Sequence, residues 1–586
     1  MRPKASWRSL ALSLVGVSLL TVASLNFASA RPNTSGNRAA SAPRVYKTTK
    51  GTSGELAGIV DLAKTPKLAP ACGAGIPATI SLLGRGDPLT PEQRQAYETS
   101  VKANPQVKNP NPNTRSGAGL SPAFVGGGVT PMVTKNVDGL TTPDCTGWVY
   151  SDPAVATDLS YVMEGVNGAV AIYRASTGAL QYGPYAASSF FAPVPVLSPS
   201  DGFLNPQMYY DVMRDRWVVS YLQYSNRDST IYLDIAISVS NSPTQPIPGG
   251  QYYIYQLATN FEPSGSIPSH CGSMTMGADY WGLYFACRNY LSDGTFVGNT
   301  TLAVGKAPAY SGGGYFSWSL NDGLQIGAGG AAYAVSAAIE EGVQDAEFFI
   351  STDAGRGVTS SNMGLCAWTN LNNMTSTTAP TVTCQNIDLG LTYGDPFNVR
   401  QAAPPTLFTE YGPKQVYYKA GRLYFAQSTI LNGNHDGIYW AEVQPQLTTK
   451  AAHTPQWVNG AIVTQAAYFD FGSSYDLYDP TLMGTDEEDI TLVYNISGPT
   501  LNPSIELTGR KATDAPNTLG QGGATVRIAT GTHTQTALIG NIWGYYSSCA
   551  IALNSVTRGT IWCAAQYTGS MAAPFWNTRL FSFRTE

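Results

Sequence analysis

Charge is scarce in this sequence. Asp, Glu, Lys and Arg make up 12% of the 586 residues, whereas ordinary soluble domains contain about a quarter. Without residues 1–30 the chain has 31 Lys and Arg against 39 Asp and Glu, a net charge of −8. A mildly acidic surface with no basic stripe repels phosphate backbones, so we expect no nucleic-acid partner.

Recognisable metal and nucleophile motifs are also missing. The sequence contains no C-x-x-C, no H-x-x-x-H and no G-x-S-x-G, and its four histidines are scattered. Zinc sites need ligands at short, regular spacings, and the esterase-type nucleophile needs its elbow motif. We therefore expect no cofactor and no motif-based catalytic triad.

Long apolar runs are confined to the N-terminus. Arg2, Lys4 and Arg8 precede an apolar run from Leu10 to Phe27, which ends at the small residues Ala28-Ser29-Ala30. This three-part pattern predicts a cleaved secretory signal peptide over residues 1–30, and an uncleaved anchor is the alternative. We expect a secreted protein, extracellular or periplasmic, with no membrane span after cleavage.

Eight cysteines follow the signal. In an exported chain an even number of cysteines predicts disulfides. Three pairs are separated by about one β-hairpin, which favours local bonds and leaves Cys72 for Cys145, although the sequence does not exclude other pairings. The pairs are Cys271 with Cys287, Cys366 with Cys384, and Cys549 with Cys563.

From about Asp138 helical periodicity is nearly absent, and short alternating strands separated by Gly, Asn, Asp and Pro turns take its place. The strands form seven units that begin roughly 50 to 75 residues apart, a little longer than common propeller blades of about 40–50. Three units open with Asp152-Pro153, Asn205-Pro206 and Asp479-Pro480. The other four contain SMTMGADYWGLYFACRNY, AEFFISTDAG, KQVYYKAGRLYFAQST and YYSSCAIALNSVTRGTIWCAAQY.

This repeat predicts an all-β fold, a seven-bladed β-propeller over residues 136–586, with a pair of β-sandwiches as the alternative. Residues 31–135 are expected to be a flexible N-terminal extension, because their polar start can bury little apolar surface. One short helix is predicted there, from Glu92 to Lys102 after the Thr90 cap and Pro91. The extension would serve as a propeptide, a surface spacer or a strap along the propeller's side.

Residues 138–586 also resemble a known group of proteins. The resemblance rests on VNGAVAIYRASTGALQYGPYAASSFF, NPQMYYDVMRDRWVVSYLQY, NISGPTLNPSIELTGR, IWGYYSSCAIAL and WNTRLFSF. These stretches are similar to large exported, mostly bacterial, uncharacterised β-propeller proteins. The resemblance implies the fold but no agreed activity. Such proteins tend to carry an Asp near Trp543, where this chain has Tyr545, so a function tied to that carboxylate does not carry over.

The Asp/Asn-Pro openings are the candidate site. The first residues of innermost strands meet at the rim of a propeller's central channel, so Asp152, Asn205 and Asp479 would gather there with Tyr545. Their oxygens would suit a sugar hydroxyl or Ca²⁺. The alternative is structural: each side chain caps the following turn while proline starts a strand that needs no N–H there.

Abundant aromatic residues on a rigid scaffold favour a non-catalytic binding module for a glycan or a surface protein. The alternative function is a secreted glycan-active hydrolase or lyase that uses rim carboxylates such as Asp152 and Asp479. A third is a structural role in a surface layer. The fold alone does not choose among them.

Overall fold

A computed structural model describes residues 44–46, 49–65, 131–142 and 150–585. Within the last range, short gaps occur at 199–200, 226–227, 229, 246–249, 261–268, 293, 314, 327–329, 353–358, 376–379, 397–398, 411, 432–434, 449–453, 521–523, 537–540, 553–558 and 570–575. The predicted signal peptide, the predicted helix at Glu92–Lys102, Cys72 and Cys145 lie outside the described residues. Among the described residues, no helix is long and apolar enough to cross a membrane.

Seven four-stranded antiparallel sheets follow one another along the chain, and we call them blades 1 to 7. Blade 1 comprises Ala154–Thr157, Tyr161–Val166, Ala169–Arg174 and Leu180–Ala186. Blade 2 comprises Gly202–Asp211, Arg216–Tyr224, Ile231–Ser238 and Gln251–Ala258. Blade 3 comprises His270–Ala278, Gly282–Tyr290, Phe296–Gly305 and Tyr315–Asp322. Blade 4 comprises Val335–Glu340, Ala346–Thr352, Thr359–Thr369 and Thr381–Gly394.

The remaining blades have the same plan. Blade 5 comprises Val416–Lys419, Arg422–Leu431, His435–Leu447 and Val458–Phe469. Blade 6 comprises Asp476–Gly484, Ile490–Gly498, Leu501–Arg510 and Thr525–Gly531. Blade 7 comprises Ser548–Ala552, Thr560–Tyr567 and Asn577–Arg584, with Met132–Thr141 as its fourth strand. The short helix α1 (Ala187–Phe190) follows blade 1, and a two-residue ladder of Gln325–Ile326 with Gly330–Ala331 follows blade 3. The short helix α2 (Lys306–Tyr310) and the 3-10 turn Leu371–Thr375 connect the third and fourth strands of blades 3 and 4, respectively.

The first strands of the blades surround one central channel. Those of blades 3, 4 and 5 run parallel, since Ala278 pairs with Ile339 and Ala338 pairs with Val416. Residues from the first strand of every blade line the channel, as the following seven show in blade order: Val155, Met208, Met276, Ile339, Tyr417, Met483 and Ala550. This arrangement confirms the predicted seven-bladed β-propeller.

The core consists largely of aromatic and branched side chains packed between and within blades. Its largest fully buried side chains are Trp217, Trp368, Trp440, Trp543, Trp562 and Trp576. Abundant tryptophan therefore serves the interior of this fold, because a large flat ring fills the space between two sheets.

The ring is closed by the strand Met132–Thr141, which we call the closing strand. It pairs antiparallel with Asn577–Arg584, so the fourth strand of blade 7 comes from the opposite end of the described chain. The closing strand begins before residue 136, where we expected the propeller to start. Sequence periodicity missed it because its partner lies more than 400 residues away.

A second N-terminal strand, Thr49–Asp61, covers the outer edges of two blades, and we call it the strap strand. Its residues 55–61 pair with blade 2 and its residues 49–55 pair with blade 3. Arg44–Tyr46 adds in the same way to blade 4. These strands lie within 31–135, where we expected a flexible extension. Backbone hydrogen bonds to open sheet edges order this polar segment, which apolar burial alone would not do.

Three predicted disulfides are present. Cys271 is bonded to Cys287, Cys366 to Cys384, and Cys549 to Cys563. Each bond joins two adjacent strands of one blade, as the hairpin-length spacing predicts.

Candidate functional site

The three Asp/Asn-Pro openings share an unusual backbone conformation. Asp152, Asn205 and Asp479 have φ angles of 45°, 46° and 48°. Among residues with a side chain, Asp and Asn enter this left-handed region at the lowest cost. Each is followed by proline. Asp152 lies two residues before the first strand of blade 1, and Asn205 and Asp479 are the fourth residues of the first strands of blades 2 and 6. The repeated dipeptide thus marks a repeated local structure.

The structure brings three of the four predicted rim residues into direct contact. One carboxylate oxygen of Asp152 accepts hydrogen bonds from the side-chain amides of Asn167, at 3.2 Å, and Asn205, at 3.3 Å. Its other oxygen accepts the backbone N–H of Tyr545 at 2.8 Å. All four predicted residues are at most 4% exposed. In this position Asp152 fastens blade 1 to blade 2 and to the loop that leads into blade 7.

Asp479, the fourth predicted residue, lies in a related environment on blade 6. Its carboxyl group accepts a hydrogen bond from the hydroxyl of Thr409, and its backbone N–H donates to Ser428 at 3.1 Å. Burial raises the pKa of Asp479 to about 8, against the lowering effect of the Thr409 hydroxyl and with a further rise from the charge of Asp152. Asp479 therefore carries a proton at neutral pH.

A buried ion cluster beside these residues has no motif in the sequence. One oxygen of Glu410 accepts from both the Arg288 guanidinium, at 2.6 Å, and the Lys414 ammonium, at 2.8 Å. The Lys414 nitrogen also lies 5.5 Å from the ring centroids of Tyr545 and Tyr546. Burial lowers the pKa of Lys414 to about 8, and the positive charge of Arg288 lowers it further while Glu410 opposes the shift.

A closer comparison of the sequences at the starts of the blades could have identified Lys414. It lies two residues before the first strand of blade 5, as Asp152 lies two residues before that of blade 1. Aligning the units on their first strands would have placed Lys414 at the rim. Glu410 and Arg288 give no comparable signal, because one comes from an interblade loop and the other from the second strand of blade 3.

The channel widens beside this cluster into a solvent-open space of about 380 Å³, which we call the Lys414 cavity. Pro153 and Pro206 line it, whereas Asp152 and Asn205 hold the loops behind them. The polar side chains in its wall are Gln207, Lys414, Gln415, Tyr546, Ser547 and Ser548.

A second space of about 330 Å³ lies further along the channel and includes Glu341 and Tyr417 in its wall. Met208, Ile339 and Gln415 line both spaces and so lie between them. The side-chain amide of Gln415 both donates to the backbone carbonyl of Cys549, at 2.6 Å, and accepts its N–H, at 3.0 Å. This pair links blades 5 and 7 within the channel.

The predicted rim does not converge on an open set of oxygen ligands. The carboxylate of Asp152 is engaged by the three donors described above, and its partner Asn205 is buried. Across the described ranges, no group of three or more His, Cys, Asp or Glu side chains is arranged to hold a metal ion. These three hydrogen bonds join the loop at Asp152 to Asn167, Asn205 and Tyr545, and none of the three caps the turn that follows Asp152.

Comparisons with known proteins give distant likenesses in structure only. No family model and no curated protein matches this chain. A GH43 β-1,3-galactosidase aligns with a TM-score of 0.28 at 11% identity, over 56% of this chain and 97% of its own. A subtype N10 neuraminidase-like protein from a little yellow-shouldered bat influenza virus aligns at 0.32 and 8%, over 65% and 99%. A protein of unknown function from Dyadobacter fermentans aligns at 0.32 and 9%, over 65% and 94%. At such similarities these likenesses carry no argument about function.

Proposed function

We propose that this protein is an exported binding module that takes the terminal residue of a glycan into the Lys414 cavity. The observation that carries the proposal is the wall of that cavity, which combines amide, hydroxyl and ammonium groups with an aromatic ring. Sugar recognition needs this combination of hydrogen-bonding groups and a flat apolar surface. The ring belongs to Tyr546, whose hydroxyl donates to the carbonyl of Met274 at 2.7 Å and so fixes its position.

Binding without catalysis is favoured by the placement of the carboxyl groups. Of the described residues that line the Lys414 cavity, none is Asp or Glu. Glycosidases of the common type need two carboxyl groups on opposite sides of the scissile bond. Here Glu410 is occupied by two cations, and Asp152 accepts from three donors.

A glycan hydrolase remains the second candidate because of Asp479. A general acid must hold a proton at the working pH, and burial gives Asp479 a pKa of about 8. For this candidate the loop around Thr409 would have to move and bring Asp479 to the substrate.

Three disulfides support a site of action outside the cytosol, because reducing conditions there keep most thiols free. Each bond lies within a single blade and stabilises that blade under oxidising conditions.

The test is a glycan array with the purified mature protein, followed by titration of the best ligands. Gln207→Leu removes an amide from the cavity wall, and we expect it to weaken binding about tenfold, the value of one or two hydrogen bonds to a sugar. Gln444→Leu is the matched control, because Gln444 is exposed on blade 5. Equal binding by the two variants would place the glycan elsewhere and reject the proposal.

Release of new reducing ends from the same glycans separates the two candidates. We expect none from the wild type. Product formation that is lost in Asp479→Asn would replace the binding module with the hydrolase.

A further inference from the structure

The ion cluster beside the Lys414 cavity contains two cations and one carboxylate. Glu410 is shared by Arg288 and Lys414, and its two ion pairs measure 2.6 and 2.8 Å. All three side chains are at most 5% exposed, so water screens them little. Within this triad, one carboxylate compensates only one of the two cations, so the triad itself carries one positive charge.

Two further carboxyl groups lie close to the triad, and neither faces the cavity. The charge of Asp152 balances the remaining positive charge of the triad, and its oxygens accept from Asn167, Asn205 and the Tyr545 N–H. Asp479 keeps its proton below about pH 8 and accepts from Thr409. The charged group that a ligand in the cavity would meet is therefore Lys414.

The ammonium of Lys414 has donors to spare. It carries three N–H groups, of which one is needed for Glu410. Its other contacts are the faces of Tyr545 and Tyr546, which attract a cation without accepting a conventional hydrogen bond. An anionic oxygen in the cavity would accept the remaining donors in a charge-assisted bond, which is about twice as strong as a neutral one.

We infer that the terminal residue bound in the Lys414 cavity is acidic, a sugar carboxylate of the uronic acid type, and that Lys414 pairs with its carboxylate. The inference rests on the proposed glycan-binding function and specifies its ligand class.

Proton linkage gives this inference a specific signature. Without ligand, burial holds the pKa of Lys414 at about 8, so half of the molecules lack this proton at pH 8. A bound carboxylate favours the charged ammonium and raises that pKa. Binding of an acidic ligand at pH 8 should therefore take up about half a proton per site.

The experiment compares oligosaccharides that differ only in the terminal residue: glucuronic acid against glucose, and galacturonic acid against galactose. Titration calorimetry at pH 7 should give at least tenfold tighter binding for the acidic member of a pair. At pH 8, buffers of different ionisation enthalpy should reveal the proton uptake. Lys64→Met is the control: Lys64 lies three residues after the strap strand and its side chain is 85% exposed, so this change should alter neither result.

Two variants of Lys414 complete the test. Lys414→Met should abolish the preference for the acidic member. Lys414→Arg should keep the preference but lose the proton uptake, because arginine stays charged throughout this range. Retained uptake in Lys414→Arg, or equal binding of acidic and neutral sugars by the wild type, would overturn the inference and leave glycan binding intact. Binding of neither class would reject both.

Discussion

At the scale of single residues, the same strained backbone recurs where Asp152, Asn205 and Asp479 precede proline. A φ near +45° costs free energy at any residue with a side chain, and the cost is recovered here by hydrogen bonds to neighbouring blades. Asp152 shows this most fully, since it holds Asn205 of blade 2 and the loop at Tyr545.

The dipeptides themselves could be recognised from the sequence, because they repeat at the start of a strand pattern. Their burial could not, because it depends on Asn167 and Tyr545, which come from other loops. The pairing of Arg288 with Glu410 was hidden for the same reason. Ion pairs between residues 122 positions apart leave no local pattern.

Asp479 provides a prediction for pH. Its pKa of about 8 lies above the ordinary value of 3.8, so the folded protein holds a proton that the unfolded chain releases between these values. The stabilisation from this proton is complete at low pH and is lost as the pH rises through 8. Asn mimics the protonated form without titrating. The melting temperature of Asp479→Asn, relative to wild type, should therefore rise by several degrees between pH 5 and pH 8.

Thermal unfolding at pH 5, 6, 7 and 8 measures this difference. Asp138→Asn controls for removing a carboxyl group, because the Asp138 side chain is 74% exposed. A constant difference between wild type and Asp479→Asn over this range would show that Asp479 is already ionised in the folded protein.

At the scale of elements, the outer strand of each blade presents unpaired backbone groups, and open edges of this kind invite association with other chains. The chain covers the edges of blades 2, 3 and 4 with its own N-terminal segments. The strap strand, TKGTSGELAGIVD, has three glycines among its thirteen residues, and glycine is depleted in strands, so its own propensity does not predict a strand. The two blade edges impose the conformation, which is a long-range effect.

Two neighbouring positions test how firmly the strap strand is held. Leu62, just after the strand, is 1% exposed and packs with Val60, Tyr185 and Tyr252. Ile59 is 53% exposed. Leu62→Ala should lower the free energy of unfolding by about 2–5 kcal/mol, whereas Ile59→Ala should change it by less than about 0.5 kcal/mol. Urea unfolding followed by tryptophan fluorescence measures both. Similar small effects would mean that the strap strand leaves the blades before global unfolding.

At the scale of the whole molecule, the propeller is a ring that must be closed, and the closure joins blade 7 to blade 1. The closing strand belongs to blade 7, and the Glu164 carboxylate of blade 1 accepts the N–H of its Leu140 at 3.0 Å. The same carboxylate accepts the hydroxyl of Thr578 on blade 7 and that of Tyr173 within blade 1, the latter at 2.9 Å. Gly139 is required beside it, because a Cβ there would lie 2.6 Å from a Glu164 oxygen.

The Glu164 carboxylate accepts hydrogen bonds from a hydroxyl of blade 7 and from a hydroxyl of its own blade, so the contributions of the two bonds can be compared by mutation. Thr578→Val removes a hydroxyl whose single proton is shared between the Glu164 carboxylate of blade 1 and the Leu140 carbonyl of the closing strand, the latter at 2.9 Å. Tyr173→Phe removes only the bond inside blade 1. Each loss leaves a buried acceptor with one donor fewer, which costs about 1–3 kcal/mol. If the ring unfolds by opening at its closure, Thr578→Val should speed unfolding in urea severalfold, and Tyr173→Phe should do so much less. Equal acceleration by both would show that the ring does not open first between blades 7 and 1.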